Sequence, residues 1–261
     1  MGYAIGCGIV KNKVFNKNSI VFIEKAKQRI SFLKKEGFVV YDNWQRLRNK
    51  EKKSFDAIIL AVKPNQIKNV INEIKTFTSK NLLFISIAAG IKIQQIATLL
   101  NKDQPIARVM PNTPCQIGHG MSVITYNKSV KKGQKLIVKK IFNSLGKVTE
   151  LNNEDKMDLV TAISGSGPAY FCLLIEQMTN SSIKLGLSKE ISNELSMQTA
   201  LGTLLLLSIK NLSPALLREM VTSKKGTTEA ALKTLNKLNF DKIIFKAIKA
   251  AMDRAKELGN E

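Results

Sequence analysis

The chain is poor in the side chains that most often carry metal-dependent or nucleophilic chemistry. It has a single histidine, His119, and its three cysteines, Cys7, Cys115 and Cys172, lie far from one another in 261 residues. Cysteines at such distances lack the short spacing of zinc ligands and indicate reduced thiols rather than a disulfide framework. We therefore expect no metal site, a cytoplasmic location, and a surface position for His119.

Arginine is also scarce, although the formal net charge is +21. The cations are 35 lysines and six arginines spread over the whole chain, whereas nucleic-acid interfaces favour concentrated arginines with aromatic residues between them. The sequence lacks a signal-peptide layout, and no apolar run approaches a membrane span, since segment 201–209 is short and interrupted by Ser208. We expect a soluble protein with no nucleic-acid or membrane partner.

The hydrophobic pattern changes near residues 151–155. Before this point, short β-rich apolar runs alternate with helical patterns; after it, only helical patterns occur. We expect a Rossmann-type, doubly wound α/β sheet at 1–152 and an all-α domain at 153–261. The predicted strands are 19–23, 38–41, 56–62, 82–87, 106–110 and 122–126, with 56–62 buried on both faces. The predicted helices are 1–10, 26–35, 65–75, 92–100, 129–144, 168–185 and 189–210, and three more from about 214, 228 and 241.

Small or conformationally restricted residues follow three of the predicted strands. Ligands of doubly wound sheets bind at the carboxyl ends of the strands, and backbone without bulky side chains lets a flat cofactor lie against it. Each segment alone is equally typical of a plain turn, but together they favour a dinucleotide site with Lys63 near a phosphate or ribose. The segments are Ala61-Val62-Lys63-Pro64, Ala88-Ala89-Gly90 and Met110-Pro111-Asn112-Thr113-Pro114.

The dinucleotide fingerprint is incomplete. A Rossmann unit opens with a strand followed by G-x-G-x-x-G, whereas here Gly2 can be only the last of the three glycines and the first strand is absent. We expect either a natural start further upstream or weak cofactor binding. Glu24 is placed for a ribose hydroxyl, or equally for the start of a helix. Lys25 and Lys27 beside it favour a 2′-phosphate, so the choice between NADPH and NADH stays open.

Segment 163–170 contains the start of a helix that is apolar on nearly all sides. Its small residues and Pro168 predict a tight turn that opens this helix, because proline is tolerated in a first helical turn. The helix and the apolar segment 201–207 exceed what a monomer's surface carries. We therefore expect a homodimer or a larger homo-oligomer.

A glycine and two threonines open another predicted helix at 226–228. Unpaired backbone N–H groups and two hydroxyls at a helix start suit a carboxylate. The alternative is a simple threonine cap, with Gly226 easing the turn. The surrounding sequence is Val221-Thr222-Ser223-Lys224-Lys225-Gly226-Thr227-Thr228.

These segments together resemble pyrroline-5-carboxylate reductase, the enzyme of the last step of proline biosynthesis. The resemblance covers almost the full length, and Met1-Gly2-x-Ala4-Ile5-x-x-Gly8 is similar to the end of the family's G-x-G-x-M-G-x-A-I start. The other matching motifs are the three segments after the strands, Gly165-Ser166-Gly167-Pro168-Ala169-Tyr170, and Val221-Thr222-Ser223 with Gly226-Thr227-Thr228.

The resemblance implies that NADPH, or alternatively NADH, delivers a hydride to the imine carbon of the substrate ring to give proline. A protonated imine needs positioning and a proton more than a strong base, which agrees with the scarcity of histidine. Thr228 is implied as the catalytic hydroxyl closest to the ring nitrogen. The implied cofactor residues are Gly2, Asn43, Ala61, Val62, Lys63, Pro64, Ala88, Ala89 and Gly90. The implied substrate residues are Glu154, Thr161, Ser223, Gly226, Thr227 and Thr228.

The chain departs from the family pattern at two places. Lys224 and Lys225 replace proline and glycine of the family's Ser-Pro-Gly-Gly-Thr-Thr loop, beside the expected carboxylate site. The first strand and Gly-x-Gly are the other departure. The alternatives are therefore another small-acid or imine dehydrogenase, and an N-terminally truncated, non-catalytic remnant that still folds and oligomerises.

Overall fold

The computed structural model describes residues 1–50, 55–77 and 79–259, which form two compact units. The first unit comprises Met1–Ser166 together with Ala251–Glu261. Its strands are β1 (Val21–Ile23), β2 (Val39–Tyr41), β3 (Ala57–Leu60), β4 (Leu83–Ser86), β5 (Ile106–Pro111), β6 (Gly120–Tyr126) and β7 (Gly146–Glu150). Its helices are α1 (Gly2–Lys11), α2 (Lys27–Lys35), α3 (Trp44–Lys50), α4 (Ile67–Ile74), α5 (Ile93–Ala97), α6 (Lys132–Asn143) and α7 (Met157–Val160).

The strands form a two-stranded sheet, β1-β2, and a five-stranded sheet in the order β3-β4-β5-β6-β7. Pairing is parallel throughout except between β5 and β6, where Ala107 lies opposite Tyr126. Because β3, β4 and β5 run parallel as neighbours, their carboxyl ends share one edge of the sheet. The α/β alternation confirms the Rossmann-type fold predicted from the sequence.

Helix α1 packs against both sheets through opposite faces. Ile5 and Ile9 are buried in the core of the five-stranded sheet, whereas Tyr3, Cys7 and Val10 pack against the cluster around the two-stranded sheet. Close approach requires small residues, since a Cβ atom on Gly6 would lie 2.7 Å from Phe22 Cζ. Among the described residues, side-chain packing on α1 joins the two sheets, and strand pairing does not.

Three features of this unit differ from the sequence prediction. Segment 56–62 was predicted to be a strand buried on both faces, but Ala57, Ile58 and Ile59 of β3 are only partly buried. The physical reason is that β3 pairs with β4 alone in the described sheet. Strand β7 and helix α3 were not predicted. Strand β4, in contrast, is buried at all four positions as predicted.

The second unit comprises Gly167–Ala250 and is helical throughout. Its helices are α8 (Gly167–Lys184), α9 (Lys189–Lys210), α10 (Pro214–Met220), α11 (Thr227–Lys237) and α12 (Phe240–Leu258), whose last turns belong to the first unit. The predicted signals are present: Gly186 after α8 has φ +107°, and the Ser188 hydroxyl accepts a hydrogen bond from Ile191 N–H at the start of α9. The all-helical prediction is confirmed.

The predicted tight turn before α8 is wrong. Residues Thr161–Gly165 instead form a π-helical turn that follows α7 directly. The backbone therefore stays helical up to Gly165 instead of reversing, and the missing side chain of Gly165 allows the widened turn to pack closely against Met110. Single π-turns inside helices often mark functional sites.

Large apolar side chains are exposed along α8 and α9. Phe171 is 57% exposed and Leu201 53% exposed, and Leu174, Leu204 and Leu205 are similarly open. By length and composition alone, the helical segment Glu154–Lys184 could cross a membrane. The prediction that no apolar segment approaches the length of a membrane span was therefore wrong. It considered segment 201–209, and not α7, the π-helical turn and α8, which follow one another without a break. A helix that packs against another subunit has the same composition.

Candidate active site

The carboxyl ends of β3, β4 and β5 carry the segments that the sequence singled out. Ala61 to Pro64 follow β3, Ala88 to Gly90 follow β4, and Asn112 to Pro114 follow β5. Ala88 is buried, whereas Ala61 and Lys63 are exposed. The structure thus brings these predicted residues to one edge of the five-stranded sheet.

The N-terminus of α1 lies at the same edge. A Cβ atom on Gly2 would be 3.2 Å from the Cβ atom of Ala61, so only glycine fits there without displacement. The helix has no side-chain cap and no acidic residue in its first turn. Its first N–H groups, with the positive end of the helix dipole, suit an anionic group such as a phosphate.

Asn43 caps a helix, and Glu24 binds the backbone just before one. Asn43 Oδ1 accepts a hydrogen bond of 2.9 Å from Arg46 N–H, and Asn43 Nδ2 donates to Asp42 Oδ1 at 3.0 Å. Glu24 Oε1 accepts a hydrogen bond of 3.0 Å from the N–H of Ala26, the residue that precedes α2, so Glu24 lies outside the helix itself. Asn43 is half-buried, two residues after the end of β2.

Gly90 allows close packing of the chain's last helix. It has φ +78°, and a Cβ atom there would lie 2.5 Å from Ala255 O and 2.8 Å from Gly259 N. The side chain of Gln95 also donates to Gly259 O. The end of α12 is therefore anchored beside the segment that follows β4.

A buried ion cluster joins β5 to the start of the segment 154–165. Arg108 is 2% exposed, and its Nη1 and Nη2 atoms lie 3.1 Å from Glu154 Oε1 and 3.0 Å from Asp158 Oδ1. Glu154 Oε1 also accepts a hydrogen bond of 2.8 Å from Ile93 N–H. The sequence analysis named Glu154 but missed Arg108 and Asp158. A cation inside the apolar run of β5 was the one sign in the sequence that Arg108 needs a buried carboxylate partner.

Thr161 begins the π-helical turn and faces inward. It is 8% exposed, and its hydroxyl donates to Met157 O at 2.9 Å. The turn ends against β5, since a Cβ atom on Gly165 would lie 2.5 Å from Met110 Cε. Asn112 Nδ2 donates to Ser164 Oγ at 3.4 Å, so this turn is tied to the residue after β5.

The segment 223–228 forms a tight turn in the second unit. Gly226 N–H donates to Ser223 O at 3.0 Å, and Lys225 has a left-handed φ of 58°. Gly226 is required by close approach, because a Cβ atom there would overlap Ser223 Oγ and lie 3.0 Å from Ser223 O. The N–H groups of Thr227 and Thr228 open α11, and within the described chain their hydroxyls donate no hydrogen bond.

Both carboxylate oxygens of Glu229 have partners at this turn. Its Oε2 accepts a hydrogen bond of 2.5 Å from Lys225 N–H, and its Oε1 lies 2.9 Å from Lys233 Nζ. The side chain of Lys233, and then the Lys225 N–H, lower the pKa of the Glu229 carboxyl below its usual value. The carboxylate charge is thus balanced locally, while the Lys224 and Lys225 side chains remain exposed beside the threonines.

Comparison with known proteins identifies relatives over both units. Residues 154–258 match the family model of pyrroline-5-carboxylate reductase dimerisation, and residues 1–90 match that of NADP oxidoreductase, coenzyme F420-dependent. The pyrroline-5-carboxylate reductase of Synechocystis sp. is 36% identical over 263 residues, covering 100% of this chain and 96% of the relative.

Solved structures agree with the sequence comparison. The pyrroline-5-carboxylate reductase of Coxiella burnetii has a TM-score of 0.87 at 36% identity, covering 98% of this chain and 94% of that one. The Plasmodium falciparum pyrroline carboxylate reductase with NADP bound has a TM-score of 0.86 at 32% identity, covering 99% of this chain and 94% of that one. With this identity over nearly the whole length, the chain belongs to the pyrroline-5-carboxylate reductase family.

Proposed function

We propose that the protein reduces the C=N bond of 1-pyrroline-5-carboxylate with NADPH and releases L-proline. Full-length relatedness to reductases of this reaction is the observation that carries the proposal. In the reaction, one hydride and one proton are added across C=N, and NADPH leaves as NADP⁺. The chemistry requires orientation of two bound molecules more than a strong base.

The edge of the five-stranded sheet fits a dinucleotide. The uncapped N-terminus of α1 beside Ala61 offers N–H donors for the pyrophosphate, and Lys63 supplies a cation next to it. We propose that Gly2, Asn43, Ala61 to Pro64 and Ala88 to Gly90 hold the cofactor, which when bound supplies the hydride. NADP in the Plasmodium relative supports NADPH over NADH as the preferred form.

The turn at 223–228 fits the substrate carboxylate. Ser223 and Thr227 would hold it through backbone N–H groups and hydroxyls at the positive end of α11, and Gly226, whose N–H already donates to Ser223 O, would let it approach the backbone closely. We propose that the Thr228 hydroxyl contacts the ring nitrogen, which is supported by its lack of a hydrogen-bond acceptor within the described chain. Glu154 and Thr161 complete the proposed substrate residues; the buried hydroxyl of Thr161 bonds Met157 O of α7 and so fixes the start of the π-helical turn to that helix.

The helical half is proposed to form a homodimer or a larger homo-oligomer. The exposed apolar side chains of α8 and α9 and the match of 154–258 to a dimerisation model support this assembly. The match also supports a functional division into 1–152 and 153–261. A cytoplasmic location is supported by three free cysteines, since reducing compartments keep thiols unpaired.

Oxidation of NADPH, followed by absorbance with pyrroline-5-carboxylate as substrate, tests the function directly. We expect saturable turnover with proline as the product, and slower or weaker use of NADH. Omitting the substrate provides the control for NADPH oxidase activity. A purified, folded oligomer without substrate-dependent oxidation of either nicotinamide would refute the proposal.

A further inference from the structure

Arg108 lies in an environment that is unusual for an arginine. It occupies the third position of β5 in the middle of the five-stranded sheet, and its side chain is 3% exposed. A buried cation is tolerated only with paired charges, and here two carboxylates, Glu154 and Asp158, occupy separate nitrogens of the guanidinium. The planar fork of arginine allows both contacts at once, which the single ammonium of lysine does not reproduce.

The two carboxylates differ in exposure. Asp158 has a side-chain exposure of 5% and is enclosed with Arg108, whereas the Glu154 side chain is 24% exposed. Oε1 of Glu154 accepts two hydrogen bonds, one from Arg108 Nη1 and one from Ile93 N–H. Oε2 has no hydrogen-bond partner within the described part of the chain. Glu154 therefore has one oxygen held by two hydrogen bonds, Oε1, and one oxygen, Oε2, without a partner among the described residues.

Residues in β5 and directly after it hold the segment 154–165. Arg108, Met110 and Asn112 alternate along the chain, so the strand directs them to one face. They contact, in order, Glu154 with Asp158, then Gly165, then Ser164. The segment 154–165 is thus fastened at both of its ends. Glu154 also accepts a hydrogen bond from the N–H of Ile93, which lies three residues after Gly90 of the proposed cofactor edge.

We propose that Arg108 is a positioning residue for the reductase reaction. It holds the Glu154 carboxylate in one orientation, so that Oε2 is available to accept a hydrogen bond from the bound substrate. The fixed carboxylate restricts the orientation of the ring when hydride arrives at the neighbouring carbon. This assignment rests on the proposed function, and it gives Arg108 a role beyond holding the fold together.

Steady-state kinetics of four variants test the proposal, with NADPH saturating and pyrroline-5-carboxylate varied. They are Glu154→Gln, Arg108→Lys, the double variant, and Asp158→Asn as a control that breaks the other half of the ion cluster. We expect Glu154→Gln to lower kcat/KM for the substrate roughly 10-fold, as for one lost charged hydrogen bond. Arg108→Lys should lower it about 3- to 10-fold, with an unchanged KM for NADPH.

The double variant separates positioning from a general effect. If Arg108 acts through Glu154, adding Arg108→Lys to Glu154→Gln should change kcat/KM by less than about 2-fold. Asp158→Asn should lower the melting temperature while keeping kcat/KM within about 2-fold of the wild type. Multiplying effects in the double variant, or an Asp158→Asn loss equal to that of Arg108→Lys, would overturn the proposal.

Two further results keep the test decisive. If Arg108→Lys fails to fold, Glu154→Asp replaces it, because it retains the charge but withdraws the carboxylate by about 1.5 Å, one C–C bond. A loss of roughly 10-fold is expected, and full activity would overturn the proposal. If the wild-type protein shows no turnover at all, the proposed function is refuted. This result is obtained before any variant is measured, so it is distinguishable from a failure of the Arg108 proposal alone.

Discussion

Gly226→Ala tests whether the turn at 223–226 sets the geometry of the substrate site. The added Cβ atom would overlap Ser223 Oγ, which can rotate away, but it would also lie 3.0 Å from Ser223 O, which belongs to the backbone. Ordinary contacts of this type are about 3.4–4 Å, since carbon and oxygen surfaces meet there. The turn must therefore open by a few tenths of an ångström and carry Thr227 and Thr228 with it.

The expected loss is larger for activity than for stability. Gly226 has φ −85° and ψ 173°, which alanine adopts freely, so the main stability term is the poorer helix N-cap, about 0.5–1 kcal/mol. A domain stable by about 5–15 kcal/mol remains folded after such a change. Misplacement of reacting groups by about 1 Å costs on the order of 100-fold. A shift of a few tenths should therefore lower kcat/KM for pyrroline-5-carboxylate roughly 10-fold.

Initial rates with varied substrate, together with the melting temperature, measure both quantities. We expect an unchanged KM for NADPH, because the turn belongs to the proposed carboxylate site. Gly133→Ala in α6 is a matched control, since a Cβ atom there meets nothing within 4 Å and alanine is the better helix former by about 0.5–1 kcal/mol. Wild-type kcat/KM in Gly226→Ala would refute the reasoning.

Three other changes have defined outcomes. Thr228→Ala should reduce turnover roughly 10- to 100-fold, or about 1.4–2.8 kcal/mol, at constant NADPH affinity measured by fluorescence titration; unchanged turnover would remove Thr228 from the site. Lys225→Gly should raise stability by about 1 kcal/mol, because φ 58° strains a residue with a side chain, and calorimetry should show a melting temperature about 2–4 °C higher rather than an equal or lower one. Burial raises the pKa of Glu150, but hydrogen bonds from Lys139 and Tyr126 outweigh it, so the net pKa is lowered. Its stabilising contribution is therefore present above the unfolded-state pKa and lost as pH falls through the folded-state value. Glu150→Gln should remove a few tenths of a kcal/mol of acid-sensitive stability in urea titrations at several pH values, and an unaltered pH dependence would contradict the assignment.

Periodic and capping signals made most of the fold predictable. The helices of the second unit follow from apolar spacing and from Gly186, Ser188 and Pro214, which act locally. Strand β7 escaped prediction because it is largely polar and exposed, with Val148 as its main inward side chain. The burial of β3 was overestimated because apolar character does not reveal how many neighbours a strand has.

The site was predictable where it depends on the residues that follow a strand. It was less predictable where it depends on contacts between residues far apart in the sequence. The edge after β3 and β4 follows from the general rule for doubly wound sheets. Arg108 reaches carboxylates 46 and 50 residues away, and no local pattern specifies such a pair. The inward hydroxyl of Thr161 was equally hidden, because a π-helical turn has no sequence signature comparable to a cap.

Helix α1 packs between two sheets that share no strand ladder, and this affects which parts of the first unit unfold locally. Amides in β4 are released only when the strand ladders on both of its sides break, so they should report global unfolding. The pair β1-β2 can part from the rest by separating Tyr3, Cys7 and Val10 from their cluster, without breaking the five-stranded ladder. We therefore expect the β1-β2 pair to exchange its amides in an opening of lower free energy than that of β4, and a ligand bound across α1 and Ala61 to make this local opening rarer.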